Sequence, residues 1–106
     1  MGHRLSKIVT RTGDQGTTGL ATGDRISKAS PRINVIGEVD ELNCQLGVLL
    51  TQTLPEPIRA TLSRVQNELF NLGGELAMPP AVLMGEADIE RLEDDVTALN
   101  ETLPPL

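Results

Sequence analysis

The chain has 106 residues with a formal net charge of −6, 39% apolar residues and a single cysteine, Cys44. This size and composition fit one modest globular domain and exclude a multidomain assembly. Phe70 is the only aromatic residue, so the stacking surfaces that bind single-stranded nucleic acid are missing, and the acidic balance opposes binding to phosphate backbones. No apolar run approaches the ~20 residues of a membrane helix, and one cysteine suits a reducing compartment. We expect a cytoplasmic protein that binds neither nucleic acid nor a membrane.

Basic residues and glycines are concentrated at the start of the chain. Residues 1–32 carry six basic groups and two acidic ones, and residues 13–23 contain four glycines. The rest of the chain is acidic and has helical periodicity. The sequence therefore predicts a basic arm rich in glycine and threonine (residues 1–32) and a helical body (residues 33–106), which together form one domain.

The helical body contains three segments in which apolar residues recur at steps of three and four. This spacing is typical of helices with one apolar face, and Pro57 stands where a proline favours a helix start. Helices joined by short proline-containing links pack as an antiparallel bundle. We predict an all-α fold, and a core with so few aromatic residues leads us to expect oligomerisation or further sequence. The predicted core stripes are Val35, Val39, Leu42, Leu46 and Leu49; Ile58, Leu62, Val65, Leu69, Leu72 and Leu76; and Ile89, Leu92, Val96, Leu99 and Leu103.

The chemistry of the chain is expected in the arm, where residues 10–23 read TRTGDQGTTGLATG. Glycines let the backbone turn sharply and approach a ligand, while hydroxyl and N–H groups donate hydrogen bonds to anionic oxygens. Arg11 and Lys28 can add charge-assisted contacts of roughly 1.5–3 kcal/mol each when desolvated. The spacing matches neither the Walker loop nor the dinucleotide-binding glycine motif. On these residues alone, a solvated loop and a phosphate site are both open interpretations.

Several ordered motifs add a resemblance to this interpretation: TRTGDQGTTGL at 10–20, GDRISK at 23–28, GEVDELN at 37–43 and LFNLGGELAMP at 69–79. From about Lys7 to its last residue the sequence resembles the ATP:cob(I)alamin adenosyltransferases of the propanediol-utilisation type. This resemblance implies a five-helix bundle, of which about three helices are present here, and a homotrimer that binds ATP between subunits.

The resemblance also implies an activity. Reduced cobalt of cob(I)alamin, or of a corrinoid precursor, attacks the 5′ carbon of ATP and gives adenosylcobalamin and triphosphate, with Mg²⁺ holding the phosphates. Donors that neutralise the departing triphosphate would lower the barrier. The alternatives are an ATP-binding module without turnover and a helical oligomerisation protein. By position in the motifs, the implied nucleotide contacts are Thr10, Arg11, Thr12, Gly13, Thr18, Gly19 and Lys28.

Asp40 corresponds to an aspartate that in the family orients an arginine of a neighbouring subunit, an indirect catalytic role. Periodicity alone places Asp40 on a polar helix face instead. The family segments that supply this arginine and the corrin pocket do not occur in these residues, so we expect the N-terminal part of such an enzyme. We assign no metal ligand and no catalytic role to His3 or Cys44. An acidic cluster is expected to be a solvated helix face: Glu90, Glu93, Asp94 and Asp95.

Overall fold

The computed structural model describes residues 6–106, which form a small hairpin followed by three helices. The first five residues of the predicted arm, including His3, lie outside the described residues. The predicted all-α bundle with three helices is confirmed, whereas the hairpin within the arm was not predicted. The elements are strands β1 (Thr17–Gly19) and β2 (Arg25–Ser27) and helices α1 (Pro31–Leu49), α2 (Glu56–Ala77) and α3 (Glu86–Asn100).

The start of each helix follows from the local sequence. The Ser30 hydroxyl accepts a hydrogen bond from the N–H of Ile33 at 3.4 Å and caps α1. Pro57 lies in the first turn of α2, as predicted, where its missing N–H leaves no donor without a partner. Before α3, the N–H of Gly85 donates to the Asp88 carboxylate at 2.8 Å. That carboxylate also places negative charge at the positive end of the helix.

Helix α2 lies between α1 and α3 and runs antiparallel to both. On its α1 side, the Arg59 guanidinium donates to the carbonyl of Leu50 at 2.9 Å, just after the end of α1. Further along, the Gln66 amide donates to the carbonyl of Asn43 at 3.3 Å. Residues early in α2 thus meet residues late in α1, which confirms the predicted antiparallel arrangement.

Ion pairs join α2 to α3. Arg64 of α2 pairs with Asp95 and, at 3.2 Å, with Glu68, while Arg91 of α3 pairs with Asp88 and lies 3.7 Å from Glu68. The hydrogen bond to Asp95 raises the pKa of Arg64 above its ordinary value, although desolvation opposes this. The prediction that Asp95 is solvated is wrong, because its position on α3 faces Arg64. The other members of that acidic cluster are exposed as predicted: Glu90, Glu93 and Asp94.

The predicted apolar stripe is half-buried throughout α2 but only partly covered on α1. Val39 and Leu46 are half-buried, whereas Val35, Leu42 and Leu49 are 43%, 51% and 41% exposed. The prediction is wrong for these last three because α1 has apolar residues on more than one face, so that spacing alone does not select the face that meets α2. Other apolar residues of this segment are half-buried instead: Ile33, Ile36 and Leu50.

The predicted stripe of α3 is exposed along its whole length. Its members range from 44% exposure at Leu92 to 62% at Leu103. Helix α3 contacts α2 through charged residues beside the stripe, and an open groove separates the apolar faces of the two helices. Residues 6–106 leave at least 44% of every side chain in this stripe exposed, so its prediction as core is wrong for the described chain. None of the three helices, within the same residues, has both the length and the apolar character needed to cross a membrane.

Candidate functional site

The glycine-rich segment before β1 folds into two successive turns. The N–H of Asp14 donates to the carbonyl of Arg11 at 3.3 Å, and the N–H of Gly16 donates to that of Gly13 at 3.1 Å. Arg11 has a φ of 62° and Gly16 a φ of 88°. This left-handed conformation is easy for glycine but costs another residue roughly 1–2 kcal/mol. Strain of this kind concentrates at functional sites, so the backbone at Arg11 points to a function independently of any motif.

The turns leave hydrogen-bond donors unused. The N–H groups of Gly13 and Gln15 have no acceptor among residues 6–106. Successive N–H groups in such turns form concave sites for anions. Close by, the hydroxyls of Thr10 and Thr12 lie 3.0 Å apart, and both side chains are exposed. The two hydroxyls hydrogen-bond to each other, so the segment offers backbone N–H groups and one remaining hydroxyl proton to an anionic ligand.

The hairpin returns the chain to these turns. Strands β1 and β2 are antiparallel, with Thr17 opposite Ser27 and Gly19 opposite Arg25. The N–H of Lys28 then donates to the carbonyl of Gly16 at 2.9 Å, so the pairing continues one step beyond β2. Lys28 and the turn are brought together by this register, although fifteen positions separate Lys28 from Gly13 in the sequence.

The side chain of Lys28 lies against Gly13. A Cβ atom built on Gly13 would be 2.9 Å from Lys28 Nζ and 2.9 Å from the carbonyl oxygen of Thr17. Real Cβ atoms do not approach other atoms so closely, so glycine is required here for steric reasons. The glycine lets the ammonium group lie directly beside the turn and its free N–H groups.

Arg25 forms the densest set of hydrogen bonds in the arm, and the sequence analysis did not identify it. Its Nη2 donates to the carbonyls of Thr12 and Thr17, each at 3.0 Å. Its Nε and Nη2 also reach the Thr17 hydroxyl at 3.3 and 3.2 Å. Arg25 belongs to the GDRISK motif at 23–28, but the resemblance named only Lys28 of that motif as a contact. Its partners depend on the hairpin register, which the sequence analysis did not predict.

Two hydrogen bonds attach the arm to the end of α2. The N–H of Ala21 donates to the carbonyl of Ala77 at 2.9 Å, and Arg32 Nη1 donates to that of Leu76 at 2.7 Å. The final carbonyls of a helix lack partners within the helix and carry partial negative charge, so a guanidinium is a favourable cap. The Ala21 bond ties the loop of the hairpin to α2, whereas Arg32 belongs to α1 and its bond joins α1 to α2.

The residues expected to contact nucleotide do not all lie together. Lys28 meets Gly13, and Thr10 meets Thr12. Thr18 points to the opposite face of the hairpin from Thr17, because side chains alternate along a strand. The implied contacts occupy three stretches, namely the turn with Thr10, Arg11, Thr12 and Gly13, strand β1 with Thr18 and Gly19, and Lys28 after β2.

Asp40, the predicted orienting residue, lies in α1. It is exposed, about 14 Å along the helix axis from Pro31 at ~1.5 Å per residue. It has no cationic partner within residues 6–106. Cys44, on the same helix, is exposed as expected for a residue on the flank of a helix.

The free cations of the site suit an anionic ligand. Within residues 6–106, neither Arg11 nor Lys28 pairs with a carboxylate, whereas Arg64 and Arg91 of the helical body both do. Across the same residues, no group of three histidine, cysteine, aspartate or glutamate side chains is arranged to hold a metal ion. The chemistry that these groups can perform is recognition and charge neutralisation of a phosphate chain.

Comparison with known proteins identifies the family of this chain. A family model described as cobalamin adenosyltransferase matches residues 8–106. A cobalamin adenosyltransferase of Cupriavidus metallidurans is 52% identical over 107 residues, which cover 100% of this chain and 58% of that protein. A corrinoid adenosyltransferase of Mycobacterium tuberculosis H37Rv is 36% identical over 114 residues, covering 100% of this chain and 59% of the relative.

Solved structures agree with the sequence comparison. A variant of the PduO-type ATP:corrinoid adenosyltransferase of Lactobacillus reuteri, complexed with cobalamin and ATP, superposes with a TM-score of 0.85 at 28% identity. The match covers 94% of this chain and 60% of that structure. The chain thus spans about three-fifths of the length of the relatives that it matches. On the extent of these matches, the chain belongs to the cobalamin adenosyltransferase family and has the corresponding part of the PduO-type fold.

Proposed function

We propose that this chain is the nucleotide-binding portion of an enzyme that transfers the 5′-deoxyadenosyl group of ATP to the reduced cobalt of cobalamin or a corrinoid precursor. The observation that carries the proposal is the Lys28 ammonium held beside Gly13, next to N–H groups without acceptors. A related structure that contains both cobalamin and ATP supports the choice of substrates.

The proposed reaction makes demands that the arm can meet. Cobalt donates an electron pair to C5′ of ATP, the C5′–O bond breaks, and triphosphate leaves with the electrons of that bond. Negative charge therefore grows on the triphosphate, and donors already in place there lower the barrier. Lys28 and Arg11 supply positive charge in this proposal, and Gly13 contributes its N–H. The hydroxyls of Thr10 and Thr12, which hydrogen-bond to each other, contact the phosphates with the one proton that this bond leaves free.

Thr18 and Gly19 have a different role in the same proposal, because β1 carries them past the turn. Thr18 offers a hydroxyl on the face of the hairpin opposite Thr17. Gly19 has no side chain and can contact nucleotide only through its backbone. Both would contact a part of ATP that extends beyond the phosphates at Gly13.

Mg²⁺ would enter this site as a complex with ATP. Mg²⁺ commonly binds through substrate phosphates and water with one or two carboxylates, rather than in a cage of protein ligands. The described residues do not supply three ligands at one place, so they do not fit a protein-held Mg²⁺. We therefore assign no step of the reaction to this ion.

In the same proposal, Asp40 orients an arginine of a neighbouring subunit within a homotrimer. Its exposed position on α1, without a cation from residues 6–106, supports a partner from elsewhere. Removal of one member of a buried ion pair typically costs about 3–5 kcal/mol. In the assembled enzyme, Asp40→Asn should therefore lower turnover strongly while the helical circular dichroism spectrum stays unchanged.

We also propose that the arm and the helices act as one domain in the cytoplasm. The hydrogen bond of Ala21 to the end of α2 supports the single domain. A lone cysteine, Cys44, is compatible with a reducing compartment.

The test combines calorimetry and spectroscopy. ATP and inorganic triphosphate are titrated into the protein, and adenosyl transfer is followed by the loss of cob(I)alamin absorbance under a reducing atmosphere. Binding of both ligands together with transfer supports the proposal. Binding without transfer favours an ATP-binding module, and the absence of heat at millimolar ATP favours a helical oligomerisation protein.

A further inference from the structure

We propose that Arg25 is a positioning residue that fixes the shape of the phosphate-binding turn. This role rests on the proposed function of the arm. Arg25 Nη2 donates to the carbonyl of Thr12, before the glycine-rich turn, and to that of Thr17, after it. Both distances are 3.0 Å, so one nitrogen closes the segment from residue 12 to residue 17 into a loop.

The guanidinium group is suited to this task. Hydrogen bonds from a charged donor are stronger than those between neutral groups, and the planar fork of arginine serves several acceptors at once. Nε and Nη2 both reach the Thr17 hydroxyl, at 3.3 and 3.2 Å, while Nη2 reaches the two carbonyls. A lysine ammonium keeps the charge but not the fork. The two residue types should therefore not substitute for one another here.

The register of the hairpin explains how Arg25 reaches the carbonyls of Thr12 and Thr17. Arg25 is opposite Gly19 in the ladder, two residues from Thr17 on the same face of the sheet. A Cβ atom on Gly19 would lie 3.6 Å from Arg25 Nη1, so the guanidinium passes close over this glycine to reach Thr17. Within residues 6–106 it pairs with no carboxylate. Its hydrogen-bond acceptors are neutral oxygens of the turn and β1, which is the pattern of a structural brace.

The consequence concerns the free donors of the site. Gly13 and Gln15, whose N–H groups lack acceptors within residues 6–106, both lie inside the segment that Arg25 closes. Loss of the brace lets this segment sample other conformations, so its free N–H groups keep the arrangement that would receive an anion only part of the time. Apparent affinity falls in proportion to the fraction of molecules in the competent conformation.

The test compares Arg25→Lys, Thr17→Val and the double variant. ATP affinity is measured by calorimetry, and exchange of the Gly16 amide is measured by NMR without nucleotide. Arg25→Lys should raise the Kd for ATP about 10–100-fold, the loss of one to two charge-assisted contacts, and should speed Gly16 exchange. Thr17→Val should weaken binding less and should add little in the Arg25→Lys background, since the two residues share one interaction. Arg91→Lys, the same replacement on α3, should leave both readouts within twofold.

The two measurements distinguish a residue that fixes the turn from one that contacts the nucleotide directly. A wild-type Kd and wild-type Gly16 exchange in Arg25→Lys overturn the proposal. A raised Kd with unchanged exchange also overturns it, because Arg25 would then contact the nucleotide directly. If the wild-type protein binds no ATP, the proposed function fails, and the exchange rates still decide whether Arg25 fixes the turn.

Discussion

The substitution Gly13→Ala tests the geometry of the candidate site with one added methyl group. The new Cβ would lie 2.9 Å from Lys28 Nζ and from the Thr17 carbonyl oxygen, about 0.5 Å short of the 3.4 Å at which ordinary contact begins. The lysine can swing away, but the carbonyl belongs to β1 and accepts a hydrogen bond from Arg25. The added methyl group therefore moves the ammonium, or the strand, or both.

The expected magnitude follows from the contact that is lost. A charge-assisted hydrogen bond from Lys28 to a phosphate is worth about 1.5–3 kcal/mol, so Gly13→Ala should raise the Kd for ATP roughly 10–150-fold. Inorganic triphosphate should lose affinity by a similar factor, because the contact is with phosphate rather than with adenosine. Calorimetric titrations with the two ligands provide the comparison.

A matched variant separates this effect from a general effect of alanine. Gly37 lies within α1, and a Cβ atom added there would meet no atom within 4 Å. Gly37→Ala should leave ATP binding unchanged and stabilise the helix by about 0.5–1 kcal/mol. The reasoning is refuted if Gly13→Ala and Gly37→Ala both bind ATP within twofold of the wild-type protein.

Three further predictions concern individual charged side chains, and the first has a control substitution. Lys28→Gln should weaken ATP binding about 10–100-fold in calorimetry. The control Lys7→Gln removes the same charge from an exposed position earlier in the arm and should change ATP binding less than about threefold. Equal losses in the two variants would indicate a long-range charge effect only. Arg59→Met removes two charged hydrogen bonds from carbonyls that follow α1 and should lower the free energy of unfolding by about 1–3 kcal/mol in urea; an unchanged midpoint would show that these bonds contribute nothing. Asp95→Asn weakens the pair with Arg64 and should lower the Tm in calorimetric scans, by an amount that shrinks as salt screens the wild-type pair; a deficit that does not depend on salt would contradict this assignment.

The helical part of the fold was largely predictable because its signals are local. Pro57 and the neighbouring proline-containing link mark helix boundaries without any tertiary information, and the observed α2 begins at Glu56. Periodicity also identified the apolar face of α2, the helix that has a neighbour on each side. Apolar spacing is sufficient to predict burial when, as in α2, the apolar face of the helix is the face that packs against its neighbours.

The same periodicity failed where burial depends on what surrounds the helix. Val35 and Leu42 of α1 have helical spacing but stay exposed, since apolar residues on more than one side of α1 compete for the α2 contact. On α3, charged residues next to the stripe contact α2, and Asp95 forms an ion pair with Arg64. The sequence allows each helix to meet α2 through its apolar stripe or through neighbouring residues, and only the packing shows which of these contacts is made.

The candidate site was predictable as a segment but not as an arrangement. Composition identified the glycine-rich segment and Lys28 as a source of positive charge, and the motif resemblance named Gly13 and Lys28 as separate contacts. Their proximity depends on a hairpin of three-residue strands, too short to show alternation in the sequence. Arg25 was missed for the same reason, because its partners become neighbours only through that register.

The hydrogen bond from the Ala21 N–H to the Ala77 carbonyl links the motions of two distant parts of the chain. A loop amide normally exchanges with solvent quickly, whereas this one is protected only while the last turn of α2 is intact. Fraying of that turn releases the amide and, with it, the attachment of the hairpin to α2. The bond from Arg32 of α1 to Leu76 ends on the same turn and is lost with it. Slow exchange at Ala21 would therefore report on helix integrity. Conditions that loosen the end of α2 should broaden the range of positions that the hairpin occupies.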